Sequence, residues 1–269
     1  MSQVEAETSI EPLGDGRYST RLDAAWNIGS NPNGGYAMLP ALRAMLDLAE
    51  HPDPLSTTVH FLRPAISDCD AEVTTRIARA GRSTTYATAT LVQEGTPRLI
   101  AHAVLGDLGR AAHGAAPDPG VTLAAPDLPP PDRCVVRSQL GQGVELPILS
   151  RLEVRIHPDQ VAPDRSRAAV VEGWIRLLDG APPDVRWLPL FADAFPPAVR
   201  TKLGPVGWVP TMELTVHARR RPASGWVQAR FECDDVEGGR MIETGTLWDS
   251  TGAVVARSRQ LGLVLSGPR

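Results

Sequence analysis

The chain has 269 residues, 42% of them hydrophobic and 22% charged, the composition of a folded globular protein rather than a disordered one. Its net charge of −4 leaves no basic excess for general nucleic-acid binding, and Cys69, Cys134 and Cys233 form no CxxC pair for a thiolate metal site or disulfide framework. The first residues are polar and acidic rather than a signal peptide, and no apolar run reaches membrane-spanning length, so the expectation is a cytoplasmic protein without membrane insertion.

In chain order, Asn33-Gly34-Gly35 opens a predicted helix from Gly35 to Glu50, with Met38, Leu39, Leu42, Met45, Leu46 and Ala49 at helical spacing. His51-Pro52-Asp53-Pro54 ends it. Residues 70–80 alternate apolar and polar, and 84–92 are rich in Thr, Val and Tyr, so both read as strands. A turn at Glu94-Gly95-Thr96-Pro97 returns the chain along Leu99 to Leu105. From Gly106 to Pro131 the composition shifts to Ala, Pro, Gly and Asp, which reads as a linker. Strands resume at Leu152 to Ile156 and Ala168 to Leu178. Trp187 to Val199 takes the place of the first helix, with Pro196-Pro197 expected to break or shorten it. Thr211 to Ala218, Trp226 to Glu232, Met241 to Trp248 and Ala253 to Leu265 supply the remaining strands.

These elements recur. Thr58-Val59-His60 returns as Thr215-Val216-His217, Gly81-Arg82 as Gly239-Arg240, Thr90-Leu91 as Thr246-Leu247 and Gly95 as Gly252, at offsets of 156 to 158 residues. Such constancy marks an internal duplication. The expected fold class is α+β: a first unit at 13–108, a linker at 109–148 and a second unit at 149–269, each unit a long helix wrapped by a curved antiparallel sheet.

Asn33-Gly34-Gly35-Tyr36, His60-Phe61-Leu62-Arg63-Pro64 and Arg79-Ala80-Gly81-Arg82-Ser83 resemble segments of the hotdog-fold acyl-CoA thioesterases. More closely, the chain resembles the acyl-CoA thioesterase II group, which carries two hotdog units in tandem. The resemblance implies a double hotdog that hydrolyses a medium- or long-chain acyl-CoA, with coenzyme A entering as part of the substrate and no further cofactor. It also implies that an Asp, a Thr and a Gln of the second unit hold the attacking water. Leu190-Phe191-Ala192-Asp193, Pro210-Thr211-Met212-Glu213 and Ser258-Arg259-Gln260-Leu261-Gly262 match those segments, although Glu213-Leu214 stands where the group usually has Asp-His.

The duplication adds an independent sign. The first-unit counterparts of Thr211 and Gln260 are Pro54 and Ala103, and Leu42 falls opposite Asp193, so only the second unit keeps the polar set. The expected site is composite. Asp193, Thr211 and Gln260 are the candidate catalytic residues; Gly34, Gly35 and Tyr36, at the helix start of the first unit, are the candidate substrate-binding and oxyanion group. Glycine there would let a carbonyl approach the backbone. Each residue also has a structural reading: Asp193 as a cap, Thr211 as a β-former, Gln260 as an edge polar residue, Gly34-Gly35 as a tight turn.

Attack by Asp193 itself, through an anhydride, is the chemical rival to water. A non-catalytic acyl-CoA-binding protein, a hotdog hydratase or dehydratase, and an interaction scaffold are the functional alternatives. His60 and His217 occupy equivalent strand positions, which favours a structural role. Arg219-Arg220-Arg221 reads as a solvated edge, with a coenzyme A phosphate clamp as the functional reading, and Trp187 and Trp208 bracket the site as candidates for the acyl tunnel. No spacing reads as a metal site. A homo-oligomer built through sheets or helices fits the fold.

Overall fold

Side chains that alternate inward and outward commit most of the chain to strands. In the computed structural model, which describes residues 2–111, 114–116, 120–141 and 143–265, they do so in two copies. The first unit runs α1 (Gln3–Glu7), β1 (Glu11–Gly14), β2 (Arg17–Leu22), a short ladder of β3 (Asn27–Ile28) with β4 (Asn31–Pro32), then α2 (Gly34–Ala37) and α3 (Leu39–Leu48). β5 (Asp53–Phe61), β6 (Cys69–Ala80), β7 (Thr85–Gln93) and β8 (Thr96–Gly106) complete it. The second runs β9 (Val135–Val136), β10 (Leu152–Ile156), β11 (Val170–Leu177), α4 (Leu188–Ala192) and α5 (Arg200–Leu203). β12 (Thr211–Ala218), β13 (Val227–Glu237), β14 (Arg240–Trp248) and β15 (Val254–Leu263) follow.

Among the described residues thirteen strands form one sheet in the order β1-β2-β6-β7-β8-β5-β12-β15-β14-β13-β11-β10-β9, every neighbouring pair antiparallel. The units join where β5 meets β12, in a register that pairs His60 with Glu213, Thr58 with Thr215 and Ser56 with His217. Each half of the sheet wraps its own helical segment. α3 turns Leu39, Ala41, Leu42, Ala44 and Met45 inward, all at most 2% exposed, against β6, β7 and β8. The predicted first helix is thus present, but a turn at Met38 divides it and Pro40 occupies the first turn of α3, where a missing N–H costs nothing.

The second helix is cut short, as its prolines require. α4 covers five residues and ends at Asp193, whose N–H bonds back to Leu190 O before Pro196-Pro197 carry the chain away. No helix among the described residues is long and apolar enough to cross a membrane.

The stretch 109–148 departs from a plain linker. Residues 112–113, 117–119 and 142 lie outside the described residues. Elsewhere the segment is fastened to the second unit: Leu123 O, Pro126 O and Pro129 O accept hydrogen bonds from Trp248 Nε1, Gln228 Nε2 and Trp174 Nε1. A proline-rich strap has carbonyls without ladder partners, and side-chain donors on the sheet satisfy them. From Val135 the strap becomes β9 on the sheet edge beside β10, and Arg137 then enters the interior at 2% exposure.

Candidate active site

Asp193 sits where α4 stops, so its carboxylate projects from the end of a broken helix toward the other unit. There α2 begins. Asn33 caps α2 by accepting the Tyr36 N–H on its own Oδ1, which aims its Nδ2 amide outward. That amide donates to Asp193 Oδ2 at 2.8 Å and to the Asp193 carbonyl at 2.9 Å, while Gly35 N–H donates to the same Oδ2 at 2.9 Å. Asp193 Oδ1 is turned to the second unit, where Thr211 Oγ1 and Gln260 Nε2 each lie 3.4 Å away. Gln260 Nε2 also donates to Thr211 Oγ1, which leaves the Thr211 hydroxyl hydrogen directed at Asp193. The three second-unit side chains therefore converge, with one carboxylate oxygen locked to the first unit and the other facing Thr211 and Gln260.

The glycines act differently from the sequence reading. A Cβ on Gly35 would stand 2.6 Å from Pro189 O, 2.8 Å from Leu190 Cα and 2.9 Å from Asp193 Cβ. Gly35 is glycine because α4 packs directly on the start of α2, and its N–H is committed to the carboxylate rather than open to a substrate oxyanion. Gly34 lines the cavity beside Asp193 and Phe61, and its N–H has no partner among the described residues. Tyr36 points away from the cavity. Its ring stacks on Trp26 with centroids 5.0 Å apart, its hydroxyl donates to Glu7 O and accepts from Asp23 N–H, and its own N–H is taken by Asn33. An aromatic next to a helix start finds more apolar area in the core than at a wet cleft.

Asp193 opens on a cavity of about 380 Å³ whose walls include Phe61, Phe195, Trp208, Met212 and Met241. Trp208 thus lines it, whereas Trp187 is 4% exposed within the core. His60 and His217 are both exposed on the strands and neither borders the cavity. Arg221 is engaged elsewhere: it grips Asp53 through two hydrogen bonds at 3.0 and 2.8 Å, tying the second unit to the first. The cavity's cationic rim is instead Arg63 and Arg98, from the loop after β5 and from β8.

Two charged residues of the site escaped the sequence reading. Arg137 borders the cavity and donates to Ala194 O. Burial pushes its guanidinium down to about 9, with Asp193 opposing the shift and Arg200 adding to it. Glu243, on β14, is 5% exposed and also borders the cavity. Burial pushes its carboxyl up to about 7, opposed by the Ala198 N–H and reinforced by the Asp193 charge. Asp193 itself is pushed up to about 6 by burial, against the pull of Gly35 N–H, Thr211, Asn33 and Arg137. A carboxylate held in that range is charged at neutral pH yet basic enough to take a proton.

Two antiparallel units, each cradling a helical segment and sharing one continuous sheet, make the molecule a tandem double hotdog of α+β class. Residues 22–106 match the acyl-CoA thioesterase N-terminal domain and residues 128–264 the acyl-CoA thioesterase C-terminal domain, so the chain belongs to the acyl-CoA thioesterase family. A candidate thioesterase II from Thermobifida fusca YX shares 33% identity at a TM-score of 0.86, over 99% of this chain and 98% of that one. A protein of unknown function with the hot dog fold from Alicyclobacillus acidocaldarius shares the fold at 23% identity and a TM-score of 0.86, with 100% of both chains covered. An uncharacterized protein of Mycobacterium tuberculosis strain H37Rv is 31% identical over 229 residues, 79% of this chain and 72% of its own length.

Proposed function

We propose that this chain hydrolyses a medium- or long-chain acyl-CoA to the free fatty acid and coenzyme A, using a water activated by Asp193. The observation that carries the reading is the division of labour on one carboxylate. Oδ2 is fixed by Asn33 and Gly35, so the group cannot swing, and Oδ1 faces two side chains able to hold a water beside it. Oδ1 takes a proton from that water as it attacks the thioester carbon, with Thr211 and Gln260 fixing its orientation. The Gly34 N–H is the donor best placed for the carbonyl oxygen as charge develops on it. The thiolate of coenzyme A then leaves; it is a good leaving group, so no strong acid is needed.

The same Oδ1 is the atom that would attack the thioester carbon in the rival route through an anhydride. Thiol release measured over an acyl-CoA panel tests the activity, and one turnover in ¹⁸O water tests the route. Label appearing in the fatty acid with none in Asp193 is expected. Label in Asp193 would replace water attack by an anhydride. Tight binding of acyl-CoA with no thiol released at any chain length would make this a binding protein.

A further inference from the structure

The cavity contains a carboxylate that the proposed hydrolysis leaves idle. Glu243 and Gln260 are direct partners across β14 and β15, and Met241, Glu243 and Gly245 alternate inward toward Gly262, Gln260 and Ser258. Cross-strand partners stand about 5 Å apart at Cβ, so Glu243 lies one side chain along from Gln260. Its Oε2 accepts the Ala198 N–H at 2.6 Å. Its Oε1 has no hydrogen-bond partner among the described residues, although the residue is 5% exposed and borders the cavity. The walls around it are apolar, including Phe195 and Met241.

A pocket for a plain alkyl chain gains nothing from an unpaired carboxyl oxygen, which costs desolvation and offers the chain no contact. A few convergent polar groups in an otherwise apolar pocket are how sites choose a polar ligand. We propose that Glu243 selects acyl chains bearing a hydroxyl group within a few carbons of the thioester, by pairing that hydroxyl with Oε1. A hydroxyl fits better than an ammonium. It donates to a carboxylate and accepts from a carboxylic acid, so it satisfies Glu243 in either state, and it brings no charge of its own next to Asp193. Among the described residues Cys233, its cross-strand partner on β13, also packs near Glu243, and Arg137 lines the same cavity.

The inference rests on the acyl-CoA reading but its test is separable from it. Wild-type enzyme should prefer a 3-hydroxyacyl-CoA over the plain acyl-CoA of equal length by about ten- to hundredfold in kcat/KM, the size of one hydrogen bond to a charged partner. Glu243→Leu should bring that ratio to one or below while retaining turnover of the plain substrate. Glu243→Gln keeps an acceptor for the Ala198 N–H, so it should fold even where the leucine variant does not, with a ratio that falls in part. If no thioester is cleaved, calorimetric affinities for the same two acyl-CoAs carry the same comparison. A wild-type ratio near one, or a preference unchanged in both variants, overturns the proposal. So does an equal loss of rate on both substrates, which would make Glu243 a support for Gln260 instead.

Discussion

Thr58 and Thr215 face each other across the β5–β12 seam with their hydroxyl oxygens 2.9 Å apart, and they are separated by 157 residues, the spacing of the internal repeat. Each is the duplicate of the other, so the pseudo-two-fold axis relating the units passes between them. A symmetric pair of hydroxyls cannot both donate, and Glu213 decides the direction. Its carboxylate takes the Thr215 hydrogen at 2.8 Å, so Thr58 donates to Thr215. The duplicate of Glu213 is Ser56, a weaker acceptor than a carboxylate, and among the described residues it takes no hydrogen bond from Thr58.

Replacing the two threonines should therefore be unequal. Thr58→Val removes one donor and is expected to cost about 0.5–1 kcal/mol in urea unfolding. Thr215→Val strands both Thr58 and an oxygen of Glu213 and should cost about 1–2 kcal/mol. Equal losses, or a double variant that merely sums the two, would count against this direction of donation.

Gly35→Ala offers a second test, of the seam between the helices. The new methyl would meet backbone atoms of Pro189 and Leu190, which have no rotamer to change. Overpacking of this kind costs about 1–3 kcal/mol, and the displacement would carry Asp193 with it, so a loss of kcat of tenfold or more should accompany the drop in stability. A variant of normal stability and rate would show that α2 and α4 do not meet as closely as they do in the structure.

The sequence made some of this legible and could not have made the rest so. Asp193, Thr211 and Gln260 were readable because each lies in a recognisable segment and because Pro54 and Ala103 stand in the other copy. The break of the second helix was readable from Pro196-Pro197. Arg137 was hidden because it follows a proline-rich strap, where composition argues against a core, and its burial depends on carbonyls gripped from β11, β13 and β14. Glu243 was hidden because a lone Glu on a strand is ordinarily solvated; only the β14–β15 register sets it beside Gln260. The mistaken placement of Tyr36 has a similar origin: adjacency to Gly35 is local, whereas stacking on Trp26 is tertiary.

Recognition of coenzyme A can be tested at the rim. Arg63 is exposed and has no ion pair among the described residues, while Arg98 holds Pro64 O and Glu94. Arg63 is thus the side chain available to a phosphate. Arg63→Ala is expected to raise KM for an acyl-CoA by about five- to tenfold with kcat unchanged, and to leave the corresponding acyl-pantetheine unaffected. An equal effect on both thioesters would remove Arg63 from phosphate binding, and the same substitution at Arg221 should raise no KM because that residue is paired with Asp53.

Asp193 ties stability to activity in opposite senses. Burial raises its carboxyl from 3.8 to about 6. Below pH 4 the group is largely neutral whether the chain is folded or not; between about pH 4 and 6 it is ionised in the unfolded chain and mostly neutral in the folded one, and above pH 6 it is ionised in both. Stability therefore falls between about pH 4 and 6 and stays about 3 kcal/mol lower above that, a figure that already includes the pull of Gly35 N–H, Thr211, Asn33 and Arg137. Asp193→Asn removes that ionisation, but its amide N–H₂ faces donors where the carboxylate accepted, which leaves a net gain of about 1–2 kcal/mol at pH 7. The variant should melt a few degrees higher than wild type at pH 7 and differ little from it at pH 4. In the same experiment kcat/KM of the wild type should rise about tenfold per pH unit up to pH 6 and level off above, and the asparagine variant should lose both the rate and this rising limb. A variant that is more stable and still hydrolyses with the wild-type pH profile would take the base away from Asp193, whereas one that is inactive, with a stabilisation that grows from pH 4 to 6 and is constant above, fits a residue kept at a thermodynamic cost for its chemistry.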